Sequence, residues 1–296
     1  MVGKESIGRK VFIFSNYTIL LLTVAICLFP LIHVLAVSFS SSWAAAGGSV
    51  KLWPVAFTWS SYEYVMNKPE FIASLFVSVK RVILGVGVNM LLTILSAYPL
   101  SREKKDLRIR NVYSWFFIIT ILFSGGLIPW YMTISKLGMV DSIWALVLPG
   151  AIPVFNVLLL MNFMRQLPKE IEESVFLDGA GHWTNLWKIQ VPLSMPAIAT
   201  LILFTTVGHW NSWFDGLILM NHPTNYPLQS YLQTIVTTIE QRLTNMTVGD
   251  VEMLSEVNDR TTKSAQIFLA ALPILCVYPF LQRYFMSGIV LGSVKG

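Results

Sequence analysis

The chain alternates long apolar runs with shorter polar stretches. Six runs stand out, at about residues 16–38, 71–100, 112–135, 142–164, 192–220 and 265–284. Each holds about 20 residues or more, and at roughly 1.5 Å rise per residue that is enough helix to cross a hydrocarbon core of about 30 Å. The pattern therefore predicts an all-α membrane protein with six transmembrane helices, forming a single domain over residues 1–296. The third and fourth runs are separated by the shortest gap, so a tight antiparallel hairpin is expected there. The first run follows Lys4, Arg9 and Lys10 and precedes Ala44–Ala46, as a secretory signal would. It is longer than a signal core, and we read it as a retained span.

Composition narrows the function classes. Hydrophobic residues make up 54% of the chain and charged residues 12%, with a mean hydropathy of +0.62. A soluble domain carries about 25% charged residues. That shortfall excludes a soluble enzyme, a disordered chain and a nucleic-acid binder. The net charge of +5 does not form one basic face, because the basic residues sit between the apolar runs. Membrane topology accounts for them. With the N-terminus in the cytoplasm, six spans return the C-terminus there, and 13 of the 21 Lys and Arg fall in cytoplasmic segments. Arg102, Lys104, Lys105, Arg108 and Arg110 form the strongest cluster. Cys27 and Cys276 both lie inside apolar runs and read as small buried hydrophobes, not as a disulfide or a metal site.

Two segments on the outer side are long, 39–70 and 221–264. The second carries Leu228, Tyr231, Leu232, Ile235 and Ile239 at helical spacing. It predicts either a short helix lying on the membrane or capping a pore, or a solvated loop with one amphipathic turn.

The cytoplasmic loop 165–191 holds the most specific pattern. Pro168 suits the first turn of a helix, where its missing N–H costs nothing. Glu170, Glu172 and Glu173 then lie near the positive end of that helix. Gly179 stands where a helix ends in a left-handed turn. A second helical stretch, 183–190, leads to Pro192 and Pro196. Ile171, Val175, Phe176, Trp183 and Trp187 give this loop more apolar surface than a solvated loop needs. On the residues alone, that surface either docks into a groove on another protein or packs on the chain's own bundle.

The spacing of this loop resembles the signature of binding-protein-dependent ABC importer permeases. That signature is Glu-Ala-Ala, a Gly three residues on, nine further residues, then Ile-x-Leu-Pro. Here Glu173-Ser174-Val175 takes the first place, Asp178-Gly179-Ala180 carries the glycine, and Ile189-Gln190-Val191-Pro192 closes the pattern. Ser174, Val175 and Val191 depart from it as small or apolar exchanges with the spacing intact. Leu193 and Pro196, the ending Gln282-Arg283-Tyr284-Phe285 with Gly288 and Gly292-Ser293-Val294-Lys295-Gly296, and Trp210-Asn211-Ser212-Trp213-Phe214-Asp215 resemble the carbohydrate-uptake, maltose-type branch. The likeness is nearest to its subgroup for complex, often acidic, oligosaccharides.

The resemblance implies a type I ABC importer permease of the bacterial inner membrane, with the loop as a coupling helix seated in a separate ATPase subunit. Glu173, Ser174, Phe176, Asp178, Gly179 and Ala180 would contact that subunit, with Lys295 and Gly296 of the tail as further contacts. It also implies two ATP-binding cassette subunits, a second permease subunit forming a heterodimer, an extracytoplasmic solute-binding protein and an oligosaccharide substrate. The sequence has no G-x-x-x-x-G-K-[ST] phosphate loop, so no cofactor is expected on this chain and ATP and Mg would be bound by the partners.

Polar residues at membrane depth are costly and usually face a bundle interior or a water-filled path. Asn89, Asn156, Asn162, His209, Asn211 and Asp215 qualify. Trp210, Trp213 and Phe214, at i, i+3 and i+4, are expected to share a helix face. We take Asn89, Asn156, Trp210, Asn211, Trp213 and Asp215 as the candidate sugar path, since aromatic faces stack on sugar rings and amides bond hydroxyls. The alternative is an aromatic belt with interhelical hydrogen bonds, with Asp215 near the outer interface. Lys80 and Arg81 are read as snorkelling to that interface, or as attracting a polyanionic sugar. No hydrolytic or metal constellation is visible. An ion-coupled secondary carrier and a membrane-embedded enzyme acting on glycan or lipid remain the rival readings.

Overall fold

The computed structural model describes residues 7–103, 107–235 and 259–292, the last stretch with side chains for 260–277 and 279. Among the described residues the chain is all helix and turn, with no strand. The apolar runs become α1 (Ile7–Ser38), then two short helices α2 (Ser42–Ala46) and α3 (Ser60–Met66), then α4 (Pro69–Ser101). There follow α5 (Arg110–Leu122), α6 (Leu127–Lys136), α7 (Ile143–Gly150), α8 (Val154–Arg165), α9 (Lys169–Leu177) and α10 (His182–Leu193). The remaining elements are α11 (Met195–Asn211), α12 (Phe214–Leu219), α13 (residues 228–235) and α14 (Asp259–Gly292).

Two helices, α1 and α4, are each long and apolar enough to cross a membrane unbroken. Three further helix pairs are long and apolar enough only when each bent pair is taken together: α5 with α6 at 115°, α7 with α8 at 48° and α10 with α11 at 79°. The third apolar run is therefore not one rod. Ser124-Gly125-Gly126 interrupts it, with Gly126 at φ +82°, a conformation open to glycine and costly to other residues. Pro149, Gly150 and Pro153 break the fourth run, and the fifth stops at Ser212, whose backbone is extended, before α12 resumes. Lys136 and Ile143 are joined by a short connector, across which Ile134 packs on Ala145 and Leu146. The sixth run lies within α14, and α13 realises the start of the amphipathic stretch at Leu228. The rest of that stretch, with Ile239, lies outside the described residues.

The chain resolves into two compact units, each with its own packing. One comprises Met1–Pro69 with Val236–Leu272. Its described core is small residues of α1 and α2, namely Ala36, Val37, Ala44 and Ala45, with Val50. Phe39 gathers Phe57, Trp59 and Tyr62 around it at ring distances of 4.7–5.3 Å, an arrangement the sequence did not announce. Burial raises the Tyr62 phenol above its ordinary pKa, opposed by its hydrogen bond with Ser38.

The other unit comprises Glu70–Ile235 with Pro273–Gly296. Its main core joins α4 (Met90, Ile94, Ala97, Tyr98, Leu100), α8 (Val157, Leu160, Met161, Met164) and α11 (Ile198, Leu201), with Leu186 of α10. Along α4 the buried positions Ser74, Ser78, Arg81, Gly85, Asn89, Thr93 and Ala97 recur every three or four residues. That spacing is one helix face, and it is small or polar where a membrane-facing stripe would be large and apolar.

Cys27 and Cys276 are free thiols, and both are exposed rather than buried. For Cys27 the reason is the direction of the apolar surface: α1 turns nearly all of its apolar residues outward.

Candidate functional site

Two places in the Glu70–Ile235 part of the chain concentrate polar chemistry. The first is a cavity of about 490 Å³ walled by α4, α7, α8, α11 and the start of α12. Arg81, Asn89, Asn156, Thr205, His209, Ser212 and Asp215 supply its polar side, while Trp130, Phe204 and Leu146 supply apolar wall. Arg81 is only 2% exposed and is ion-paired with Asp215. Its Nη1 also donates to the Ser212 carbonyl at 3.2 Å and to Asp215 Oδ1 at 3.2 Å. Asp215 Oδ1 in turn accepts from Ser212 Oγ at 2.8 Å and from the Gly216 amide at 2.9 Å. The pair thus serves both sides of the helix break. The cation meets a carbonyl freed at the C-terminal end of α11, and the anion meets an amide freed in the first turn of α12. Asn89 Nδ2 lies 3.3 Å from His209 Nε2, and Asn156 Nδ2 donates to Thr205 Oγ1 at 3.3 Å. Asn89 Oδ1 and Arg81 Nε are buried without a partner.

Gly85 is what lets His209 reach Asn89. A Cβ at Gly85 would stand 2.6 Å from the imidazole Cδ2, well inside contact distance. Gly87, two residues on, has nothing within 4 Å of such an atom. Valine at Gly85 is expected to cost about 1–3 kcal/mol through forced displacement of the ring. Valine at Gly87 serves as the control. Thermal unfolding of the two purified variants in detergent checks this, and equal melting points would refute it.

The second place is the polar hairpin after α8. Helix α9 ends in a left-handed turn at Gly179, φ +79°. The Gly179 amide bonds the Phe176 carbonyl at 3.0 Å and the Ala180 amide bonds the Val175 carbonyl at 3.1 Å. These are the two bonds of a Schellman turn. The hairpin is tied to the end of α4 by the ion pairs Arg102–Glu172 and Lys169–Glu103. Arg102 also lies over the Tyr98 ring, 4.4 Å from its centroid, and the Tyr98 hydroxyl is 3.1 Å from His182 Nδ1 and 3.2 Å from Asn185 Nδ2. Arg165 and Arg110 donate to the Leu100 and Arg102 carbonyls, closing the C-terminal end of α4. Away from this tether and from the buried Asn185, Leu186 and Gln190 of α10, the turn side of the hairpin is exposed. No residue of α9 is buried, and Leu177 and Trp183 are 87% and 67% exposed.

Comparisons with known proteins place this architecture. No family model matches the sequence. The chain is 40% identical to Protein LplC of Bacillus subtilis (strain 168) over 92% of this chain and 90% of that protein. It is 38% identical to the polygalacturonan/rhamnogalacturonan transport system permease protein YtcP of the same organism, over 97% of this chain and 99% of that one. The crystal structure of a bacterial ABC transporter involved in the import of the acidic polysaccharide alginate superposes with a TM-score of 0.85 at 28% identity, covering 96% of this chain and all of the matched chain. The chain belongs to the carbohydrate-uptake ABC transporter permeases. The permease is accordingly a multi-pass protein of the inner membrane and a transport subunit rather than an enzyme, and neither the secondary carrier nor the membrane-embedded enzyme fits. A further solved structure, of the bacterial alginate ABC transporter in complex with an alginate pentasaccharide-bound periplasmic protein, shares the fold at a TM-score of 0.53 and 16% identity.

The residues singled out in the sequence divide between the two places. Glu173, Ser174, Phe176, Asp178, Gly179 and Ala180 of the permease all lie in the second half of α9 and its turn. Glu173, Ser174 and Asp178 are exposed, and the Phe176 ring packs on His182 at 5.1 Å. Lys295 and Gly296 lie outside the described residues. Of the path candidates, Asn89, Asn156 and Asp215 line the cavity, and Trp210, Asn211 and Trp213 do not. The shared face expected of Trp210, Trp213 and Phe214 is lost because the helix breaks between them. Trp210 is 4% exposed in α11, whereas Trp213 and Phe214 are 41% and 48% exposed beyond the break. Arg81 does not snorkel, and Asp215 is no bystander, since each is the other's counter-ion. Sequence reasoning missed Arg102 and Glu172 as a tether and set His209 aside. The i, i+4, i+8 spacing of Arg81, Gly85 and Asn89 was the available signal for the cavity wall.

Proposed function

We propose that this permease is the membrane half of a binding-protein-dependent importer that carries an oligosaccharide, of the acidic kind, into the cytoplasm by ATP-driven alternating access. The permeases of a polygalacturonan/rhamnogalacturonan system and of an alginate importer are its relatives, which supports an acidic glycan. In this reading the whole chain is one permease domain with six spans, both termini are cytoplasmic, and α9 is the coupling helix. The observation that carries it is the exposed hairpin: a Schellman turn at Gly179 presents Leu177 and Trp183 outward while Arg102–Glu172 holds the base to α4. An apolar helix face held out in this manner suits a groove on a partner.

The partners are two ATPase subunits, which bind ATP and Mg, a second permease subunit making a heterodimer, and an extracytoplasmic solute-binding protein. Glu173, Ser174, Phe176, Asp178, Gly179 and Ala180 contact the ATPase, with Lys295 and Gly296 beside them. The cavity at Asn89, Asn156 and Asp215 lies on the sugar path. Co-purification of an ATPase with the tagged permease, and ATP-dependent uptake of oligogalacturonate by vesicles holding the assembled complex, are the expected results. Uptake that persists without ATP, or a permease that recovers no ATPase, would overturn the reading.

A further inference from the structure

The cavity at the helix break presents a charge puzzle. Of the residues lining it, Arg81 and Asp215 alone carry fixed opposite charges, and they are spent on each other. Arg81 is buried at 2% exposure, so an unpaired guanidinium here would be a strong anion site in a poorly solvated wall. A uronate carboxylate passing such a group would be held by a bidentate, charge-assisted bond. A path must bind its cargo firmly enough to admit it and weakly enough to release it.

We propose that Asp215 is a specificity-determining residue that neutralises Arg81, so that acidic sugar units pass the cavity without being trapped. This inference rests on the acidic-oligosaccharide reading and deepens it. Three observations converge on Asp215. It takes both nitrogens of the guanidinium end, with Nη1 at 3.2 Å from Oδ1 and Nη2 on Oδ2. It is itself anchored by Ser212 Oγ and the Gly216 amide, so the carboxylate stays in place when cargo competes for Arg81. The remaining polar wall is amide and hydroxyl from Asn89, Asn156, Thr205 and Ser212, with the imidazole of His209 beside Asn89, groups that suit sugar hydroxyls of any charge class. The unpartnered Asn89 Oδ1 and Arg81 Nε mark hydrogen-bonding capacity that the chain itself leaves unused.

The test compares wild type, Asp215→Asn and the double variant Arg81→Gln/Asp215→Asn, each assembled with its partner subunits in proteoliposomes. The probes are trigalacturonate and the same trimer with its carboxyls methyl-esterified. Asp215→Asn is expected to lower both KM and the maximal uptake rate for trigalacturonate, each about tenfold, the scale of one charge-assisted hydrogen bond. The ester should change less than about twofold, because it offers no anion to the exposed guanidinium. Removing Arg81 as well should restore trigalacturonate uptake towards wild type. An equal loss for both trimers at unchanged KM would make the pair merely structural and overturn the proposal, as would a double variant that recovers nothing. Should Asp215→Asn fail to insert, the double variant still decides: its cavity is neutral, so its acid-to-ester uptake ratio must match wild type, and a collapse of that ratio overturns the proposal. Wild-type vesicles that import neither trimer would refute the transport reading itself and this inference with it. An unchanged ratio and KM across all three proteins would refute the role of Asp215 alone.

Discussion

Valine at Gly179 should reduce ATP-driven uptake to background while the amount of permease in the membrane stays at the wild-type level. The cause is torsional. Gly179 sits at φ +79°, and nothing lies within 4 Å of the Cβ that a substitution would add. A side chain therefore meets no neighbour, but its backbone must hold a left-handed conformation that costs about 1–2 kcal/mol, and more for a β-branched residue. Relieving that strain means giving up the paired bonds at Phe176 and Val175 and redirecting the chain into α10. The turn lies outside the apolar runs, so insertion is untouched. Asparagine, which tolerates the left-handed region, should be the mildest replacement and alanine intermediate. Immunoblotting of membranes beside an uptake assay separates the two effects, and near-normal uptake by the valine variant would exclude the coupling role.

Lysine at Glu172 should produce the second large loss, at least about tenfold in uptake. Glu172 is the counter-ion of Arg102, whose side chain is 8% exposed. Breaking a buried pair by removing one partner costs about 3–5 kcal/mol, and the partial exposure of Glu172 puts this case at or below the low end. The new cation would also join Arg110, Arg165 and Lys169 around the same cleft. Helix α9 then loses its strongest tie to α4, and ATP hydrolysis by the complex is expected to continue with little sugar moved. The exchange Arg102→Glu with Glu172→Lys should recover part of the uptake, because opposite charges again face each other. ATP consumed per sugar imported is the deciding measurement. A single Glu172→Lys variant with wild-type coupling would show that the pair is dispensable.

The apolar runs were legible because burial in lipid demands about 20 consecutive apolar residues, a signal that tertiary packing does not erase. Helix α1 ends at the expected Ser38 but starts nine residues before the expected run, α4 matches its run to within two residues at each end, and the hairpin around Gly179 followed from local rules for helix starts and stops. What the runs concealed were their interruptions. A hydropathy pattern averages over Ser124-Gly125-Gly126 and over Ser212, yet those residues decide whether a run is one rod or two. The error at Trp210 and Trp213 has the same origin, since helical spacing means nothing across a break. Arg81 and Asp215 stand 134 positions apart, and no local pattern links them. Their pairing exists only because α4 and α11 pack through the face carrying Gly85 and Asn89.

Helix α4 holds both regions at once. Arg81 stands about a third of the way along it and Arg102 follows its last residue, about 30 Å apart at the usual helical rise. It runs as one continuous helix, with Pro99 inside it, where the neighbouring bent pairs are jointed, and so links the two regions as a single element. On the proposed coupling role, a tilt imposed where α9 is fastened would travel along this one helix, past Pro99, to the Asp215 counter-ion. A stroke delivered at α9 and the loosening of the electrostatic clasp at Arg81 would then be one event carried by a single helix.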